Sequence, residues 1–480
     1  MSSNTPEKAL KTIAVAGASG FIGKHLIQAL LEDAESKGQS IQIIALSRNE
    51  KNSNDPRVEW RLCDLFSLSE CQRGLKDCDA AYYLVHSMLP TAHLDQGRFW
   101  NYDLLLADNF ARACEKQGLK KVVYLSGIIP KERPLSRHLK SRLEVEELLA
   151  DGGFELTSLR AGLVVGGGGS SFRILYRLVS RLPFLVCPSW TQNKTTPIYI
   201  DDAVICLKEA LYNPEIGGKS WDIGGPDTLT YLEMMKETAK QLGKKRFFIP
   251  VAFLSTYLSR LWVSTITQSP RNLVYPLIMS LKSPMVLREE RRLKIPGHSF
   301  KSFKEAIEIG VQEEAHHKDS RFQELRKTFT LFRPVRKSVR SVQRLKNPKK
   351  LNADQIRQEY MRWLPKALYP FVKVFIEGNL CELCLFRGKT KLLILELDQK
   401  KSTPDRQLLM IRGGLLARIK GKGRLEFRKV HHYPYVLAAI HEFYPSLPWY
   451  LYKYTQAFLH LLVMKRFARH LVRIKPPSGT

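Results

Sequence analysis

A chain of 480 residues with 44% hydrophobic content is too long for one ordinary core and too apolar for a disordered polymer, so two or three folded domains are expected. Its 76 Lys and Arg against 46 Asp and Glu leave a formal charge of +30, which attracts something anionic. No run of ~18 uncharged apolar residues occurs and Met1 to Lys11 is polar, which excludes an evident membrane span or secretory leader and makes a cytoplasmic location the expectation.

Taken in chain order, Thr12 to Ala16 is the β-rich apolar run of a covered parallel strand. Gly17, Gly20 and Gly23 follow, three residues apart, and lead into a helix carrying Leu26, Ile27, Leu30 and Leu31. This is the pattern of a phosphate-binding turn: glycines let backbone N–H groups approach a pyrophosphate at the positive end of a helix. Strand-like runs at Ile41 to Leu46, Ala80 to Val85, Lys121 to Ser126, Glu155 to Leu159 and Ser220 to Ile223 alternate with helical ones at Leu104 to Lys116 and Ser141 to Ala150. Such alternation specifies βαβ units and a parallel sheet. Residues 10–227 are therefore expected to form a Rossmann-type, doubly wound α/β domain, and 228–315 a mostly helical cap punctuated by prolines.

Residues 316–352 read as a basic linker, because no acid lies between Glu324 and Asp354 while ten cations accumulate from Arg326 to Lys350. Anionic membrane and nucleic acid are both conceivable partners for it, but it lacks stacking aromatics and a base-reading module, which disfavours nucleic acid. Residues 353–475 change to period-two and continuous apolar runs, from Leu380 to Phe386, Lys391 to Leu397, Gln407 to Ile411, Gly423 to Val430 and Tyr435 to Phe443. They predict a smaller α+β domain with a largely antiparallel sheet, closed by a helix from Pro448 to Val472. That helix is amphipathic with Lys465, Arg466, Arg469 and Arg473 near its end, and packing on its own sheet is favoured over lying in a membrane interface.

The second strand ends in Ser47-Arg48 where a carboxylate would select a ribose hydroxyl. A hydroxyl and a guanidinium accept a 2′-phosphate instead, so NADP is expected, with NAD as the alternative. Asp64 and Leu65 follow the third strand on the adenine side, and Val85 and His86 close the next strand near the pyrophosphate and nicotinamide ribose. Gly17, Ser19, Gly20, Phe21, Ile22 and Gly23 form the expected pyrophosphate turn.

Together, Gly17 to Gly23, Asp64-Leu65, Tyr82 to Met88, Val122 to Gly127 and Leu159 to Gly166 resemble an atypical extended short-chain dehydrogenase/reductase. The resemblance is to the NmrA-like branch, which includes bacterial NAD(P)-binding proteins and the accessory nucleotide-binding subunit of mitochondrial complex I. It covers about residues 10–310, and residues 350–475, with Gly423 to Arg428 and Leu447 to Tyr452, are similar to an uncharacterised domain often fused behind such reductases. A helix-grip shape is what that second resemblance implies.

Active members of the family carry a Tyr-x-x-x-Lys pair and a serine on the preceding strand. Here Ser126 matches the serine, while His138 and Arg142 hold the pair's positions with different chemistry. A histidine exchanges protons near neutral pH, but arginine keeps its own, so two readings stand side by side: a modified proton relay, or residues that bind nucleotide alone. Cys381 and Cys384 have a metal-like spacing without a second half, and His316-His317 and His431-His432 lack partner ligands, so no metal is assigned. Eight cysteines in so long a chain are read as reduced thiols.

The expected function is an NADP-dependent oxidoreductase acting on an apolar carbonyl, enone or quinone-like molecule held between sheet and cap. The alternative is a catalytically silent NADP(H)-sensing or assembly protein that answers to a protein partner. Peripheral contact with the inner face of an anionic membrane is compatible with either, and the sequence leaves the oligomeric state open.

Overall fold

The computed structural model describes residues 11–87, 94–132, 134–251, 256–269, 271–330, 338–385, 388, 390–419, 421–430 and 433–474. The chain divides into two compact units, Met1–Pro90 with Leu106–Leu331, and Thr91–Leu105 with Phe332–Thr480.

The chain runs through β1 (Thr12–Ala16), α1 (Phe21–Ser36), β2 (Gln42–Ser47), β3 (Val58–Leu62), α2 (Leu68–Gly74), β4 (Ala80–Tyr83), β5 (Leu94–Gly97), α3 (Phe99–Gln117), β6 (Lys121–Gly127), α4 (Arg137–Ala150) and β7 (Glu155–Ala161). Then come β8 (Val164–Val165), α5 (Ser170–Arg181), β9 (Phe184–Pro188), β10 (Lys194–Thr195), β11 (Ile198–Tyr199), α6 (Ile200–Tyr212) and β12 (Ser220–Ile223). In the first unit a seven-stranded sheet has the order β12-β7-β6-β4-β1-β2-β3, and every neighbouring pair is parallel. Ile13 to Ala16 and Ala80 to Tyr83 are fully buried, as strands with helices over both faces must be. The strand order reverses between β1 and β4, and ligands of open α/β sheets bind at the carboxyl ends of strands at such a switch point.

The cap follows as β13 (Leu229–Thr230), α7 (Tyr231–Gln241), β14 (Phe247–Val251), α8 (Thr256–Thr267), α9 (Arg271–Ser280) and α10 (Phe303–Thr330). The start of α7 is set by a capping box, in which Thr230 Oγ1 accepts from the Glu233 N–H and Glu233 accepts from the Thr230 N–H.

The second unit contains β15 (Val339–Lys346), α11 (Ala353–Leu368), β16 (Val372–Glu377), β17 (Leu380–Leu385), β18 (Lys391–Leu397), β19 (Arg406–Gly413), β20 (Arg424–Lys429), β21 (Tyr435–Phe443), α12 (Trp449–Tyr454) and α13 (Gln456–Arg473). Its sheet runs β16-β17-β18-β19-β20-β21-β15-β5, antiparallel except for the β15–β5 pair. Tyr360 of α11 and Phe467 of α13 meet edge to face at 4.9 Å and pack on Phe427 of the sheet.

Several expectations change. Residues 339–346 are a strand paired on both sides, not linker, and Arg340 is 2% exposed. The apolar residues Val339, Val342 and Leu345 make this strand, and the intervening basic residues hid their pattern. The preceding basic residues 316–330 continue α10; Arg333, Arg336 and Lys337 lie outside the described residues, as do His431 and His432. The terminal helix is interrupted at Thr455, which separates α12 from α13. Residues 94–97 supply an edge strand to the second unit, which the short sequence Leu-Asp-Gln-Gly did not announce. All eight cysteines are free and buried.

Candidate functional site

The turn after β1 is built from glycine for steric reasons. Gly17 has φ of +95°, and its carbonyl accepts the Gly20 N–H at 2.9 Å. A Cβ on Gly23 would sit 2.4 Å from the Gly17 oxygen. Gly20 caps α1 without a side-chain acceptor and the first turn holds no acid, so its N–H groups are left to an anion.

A cavity of about 370 Å³ within the first unit opens from this turn. Gly17, Gly20, Phe21, Ile22 and Gly23 line one end; His86, Ser126, His138 and Arg142 line its wall; Leu175, Met234, Val274, Leu277 and Met285 are among the apolar residues of the cap side. The N-terminus of α5 also reaches it through Gly169, Ser170 and Ser171.

The polar wall is a connected network. His138 is buried, with its Nδ1 2.9 Å from Ser280 Oγ and its Nε2 3.3 Å from His86 Nε2. Ser280 Oγ also lies 2.9 Å from Ser136 Oγ and donates to the Pro276 carbonyl at 3.1 Å. With the one Ser280 proton on Pro276, its oxygen accepts from Ser136 and from His138 Nδ1–H; for neutral imidazoles, His138 Nε2 then accepts from His86 Nε2–H. This tautomer is assigned from the network. Arg142 Nη1 donates to the Tyr124 hydroxyl at 3.4 Å.

Ser126 Oγ is buried without a hydrogen-bond partner among the described residues, and so is Trp190 Nε1 in the same lining. Buried polar groups of this kind ordinarily have a partner. Burial pushes the Tyr231 phenol pKa up, so it stays protonated. The glycine turn, the uncapped helix and the unsatisfied Ser126 oxygen fit a nicotinamide dinucleotide.

The cavity thus gathers Gly17, Gly20, Phe21, Ile22, Gly23, His86, Ser126, His138 and Arg142. It does not include Ser19, Ser47, Arg48, Asp64, Leu65 or Val85 in its lining. Ser19 and Arg48 are exposed, and Ser47 is buried with its Oγ accepting the Asn49 N–H at 3.2 Å. Asp64 Oδ1 accepts the Phe66 N–H at 3.2 Å, Leu65 is buried, and Val85 is half-buried. Ser47–Arg48 and Asp64–Leu65 follow β2 and β3, on the opposite side of β1 from β4. Sequence reasoning missed Ser136, Ser280, Trp190 and Tyr231. Ser136 could have been found as the N-cap of α4, since its Oγ accepts the Leu139 N–H. Nothing local marks Ser280, which meets His138 across 142 residues. Among the described residues no group of three metal-ligating side chains occurs.

Residues 13–224 match the NAD dependent epimerase/dehydratase family. Similar proteins include the auxiliary protein GraX of Staphylococcus aureus, 29% identical over 24% of this chain and 36% of that protein. The 40 kDa subunit of NADH-ubiquinone oxidoreductase from Neurospora crassa is 20% identical over 50% of this chain and 62% of its own length. A ceramide reductase of Caulobacter vibrioides is 24% identical over 48% of this chain and 71% of its own length. The chain therefore spans about a third of the first relative and less than two thirds of the second. A nucleoside-diphosphate-sugar epimerase structure from Staphylococcus aureus shares the fold, with a TM-score of 0.50 and 14% identity over 62% of this chain and all of that one. No helix among the described residues is long and apolar enough to cross a membrane.

Proposed function

We propose that the first unit is an NADP-dependent reductase for an apolar carbonyl, enone or quinone-like substrate. The observation that carries this reading is the single cavity in which a glycine-lined phosphate turn, a buried serine–histidine wall and an apolar cap meet. Gly17, Gly20 and Gly23 with the first N–H groups of α1 hold the pyrophosphate, and Ser47 and Arg48 after β2 receive the 2′-phosphate. Asp64 and Leu65 flank the adenine, and Val85 and His86 the nicotinamide ribose. When bound, the cofactor supplies the hydride.

The chain's own residues do the rest. Ser126 Oγ–H orients the substrate carbonyl. The His86–His138 pair holds an exchangeable proton beside it, and Ser280 and Ser136 fix the orientation of His138. Arg142 stays charged and serves binding, not proton transfer. The cap residues exclude water and accept an apolar body, consistent with the lipid named for the Caulobacter relative.

The second reading, a silent NADP(H) sensor or assembly protein with a protein partner, is favoured by the replacement of the family's Tyr–Lys pair with His138 and Arg142. Absorbance assays of NADPH and NADH oxidation against apolar ketones, enones and quinones separate the two. Substrate-dependent NADPH oxidation is expected; cofactor binding without turnover across the panel supports the sensor. The proposed location is cytoplasmic, peripheral to an inner membrane face.

A further inference from the structure

The outward face of α13 changes character half-way along. Its inward residues Met464, Phe467 and Leu471 are buried in the sheet core. Outward, Phe458, Leu459 and Leu462 are 63%, 52% and 36% exposed, and the next turns present Lys465, Arg466, Arg469 and Arg473, all exposed. Leu415 and Ile419, in the loop that adjoins the start of α13, are 60% and 72% exposed. That loop is tied to the start of α13, where Gln456 Nε2–H donates to the Leu416 carbonyl at 3.3 Å. No acid occurs from Trp449 to Ile474.

We infer that this face docks on the surface of an anionic phospholipid bilayer. Apolar side chains at one end enter the acyl boundary while long cationic ones at the other reach phosphate headgroups, the arrangement an interfacial helix requires. A second copy fits poorly, because a two-fold contact through this face meets its own cations and α13 offers no acid to pair them. Nucleic acid fits less well, since of Leu415, Ile419, Phe458, Leu459 and Leu462 only Phe458 carries a ring on which a base could stack. Arg340 and Arg344, read from the sequence as part of a basic arm, are instead held in β15.

The test is cosedimentation of the full chain with vesicles of equal parts phosphatidylglycerol and phosphatidylcholine, or of phosphatidylcholine alone, across a salt series. Binding to the anionic vesicles that weakens with salt is expected. A Phe458→Ser, Leu459→Ser variant and an Arg466→Gln, Arg469→Gln variant should each bind about ten-fold more weakly. The exposed pair Lys349 and Lys350 serves as comparison, and a Lys349→Gln, Lys350→Gln variant should keep its binding. Equal binding to neutral and anionic vesicles overturns the proposal, as does an equal loss in the Lys349, Lys350 variant, which would leave net charge as the cause. So does a dimer of the unmodified protein that the Phe458, Leu459 variant lacks. Because all eight native cysteines are buried, a Phe458→Cys protein carrying an environment-sensitive dye reports insertion without any loss of anchor charge. A blue shift on anionic vesicles is expected, and none overturns the proposal.

Discussion

His138 in the first unit and His441 in the second are both nearly excluded from water, 9% and 2% exposed, but they are held differently. His138 borders an open cavity and its ring nitrogens meet Ser280 and His86. His441 lies in a closed ladder of charges, its Nε2 3.2 Å from Glu426, and Glu426 accepts hydrogen bonds from Arg406 at 2.9 Å and from Arg428. Burial, with help from the Arg424 charge and against the pull of Glu426, lowers the His441 pKa to about 4. Glu426 is held well below the usual carboxylate range: Arg428 and Arg406 outweigh the desolvation that would raise it. A buried ionisable group beside empty space can meet a ligand; one enclosed by fixed counter-charges serves the fold. Burial alone does not distinguish them.

The largest effect should come from His138→Phe. If His138 relays a proton, turnover with NADPH and a responsive substrate falls by roughly 10²- to 10⁴-fold while cofactor affinity is kept. Full activity in the variant would remove His138 from the chemistry and weaken the contrast with His441. A parallel loss of cofactor affinity would make it a binding residue.

Glu426→Gln tests the other side of the comparison. It leaves the part-buried Arg406 and the buried Arg428 without their carboxylate, and breaking such a buried pair costs about 3 to 5 kcal/mol. Urea unfolding followed by the second unit's tryptophan signal should show the loss, with NADPH binding to the first unit unchanged. An effect under about 1 kcal/mol would mean that the ladder is solvent-screened in solution.

Arg48→Ala should weaken NADPH by roughly 1.5 to 3 kcal/mol and leave NADH unaffected, because the guanidinium gains its partner when the 2′-phosphate arrives. Titration of both cofactors measures it, and equal affinities in the unmodified protein would remove the NADP preference.

The pH dependence gives the gentlest test. His441 takes up a proton near 6.5 when unfolded but at about 4 when folded, so the unfolded state binds more protons between those values. Its contribution is complete above the unfolded value and is lost as pH falls toward the folded one, by up to about 1.4 kcal/mol per pH unit. Denaturation midpoints across that window should decline, and a His441→Gln variant that remains folded should decline less steeply.

Much of the first unit was legible because its signals are local. An apolar run before Gly17, Gly20 and Gly23 specifies a strand and a phosphate turn through steric demands that act within a dozen residues. The four-residue interval from His138 to Arg142 likewise put both on α4, and both do reach the cavity. What joined them to Ser280, Trp190 and Tyr231 was the return of the cap over the sheet, and no local spacing encodes a contact across 142 residues. In the second unit, alternation revealed most strands of the meander but not β16, nor β5, which is four residues long, nor β15, where Arg340 sits at a buried position. A basic sequence is polar by composition; pairing with β21 and β5 decided that this one lies inside a sheet, since two neighbouring strands satisfy its backbone and bury its apolar residues together.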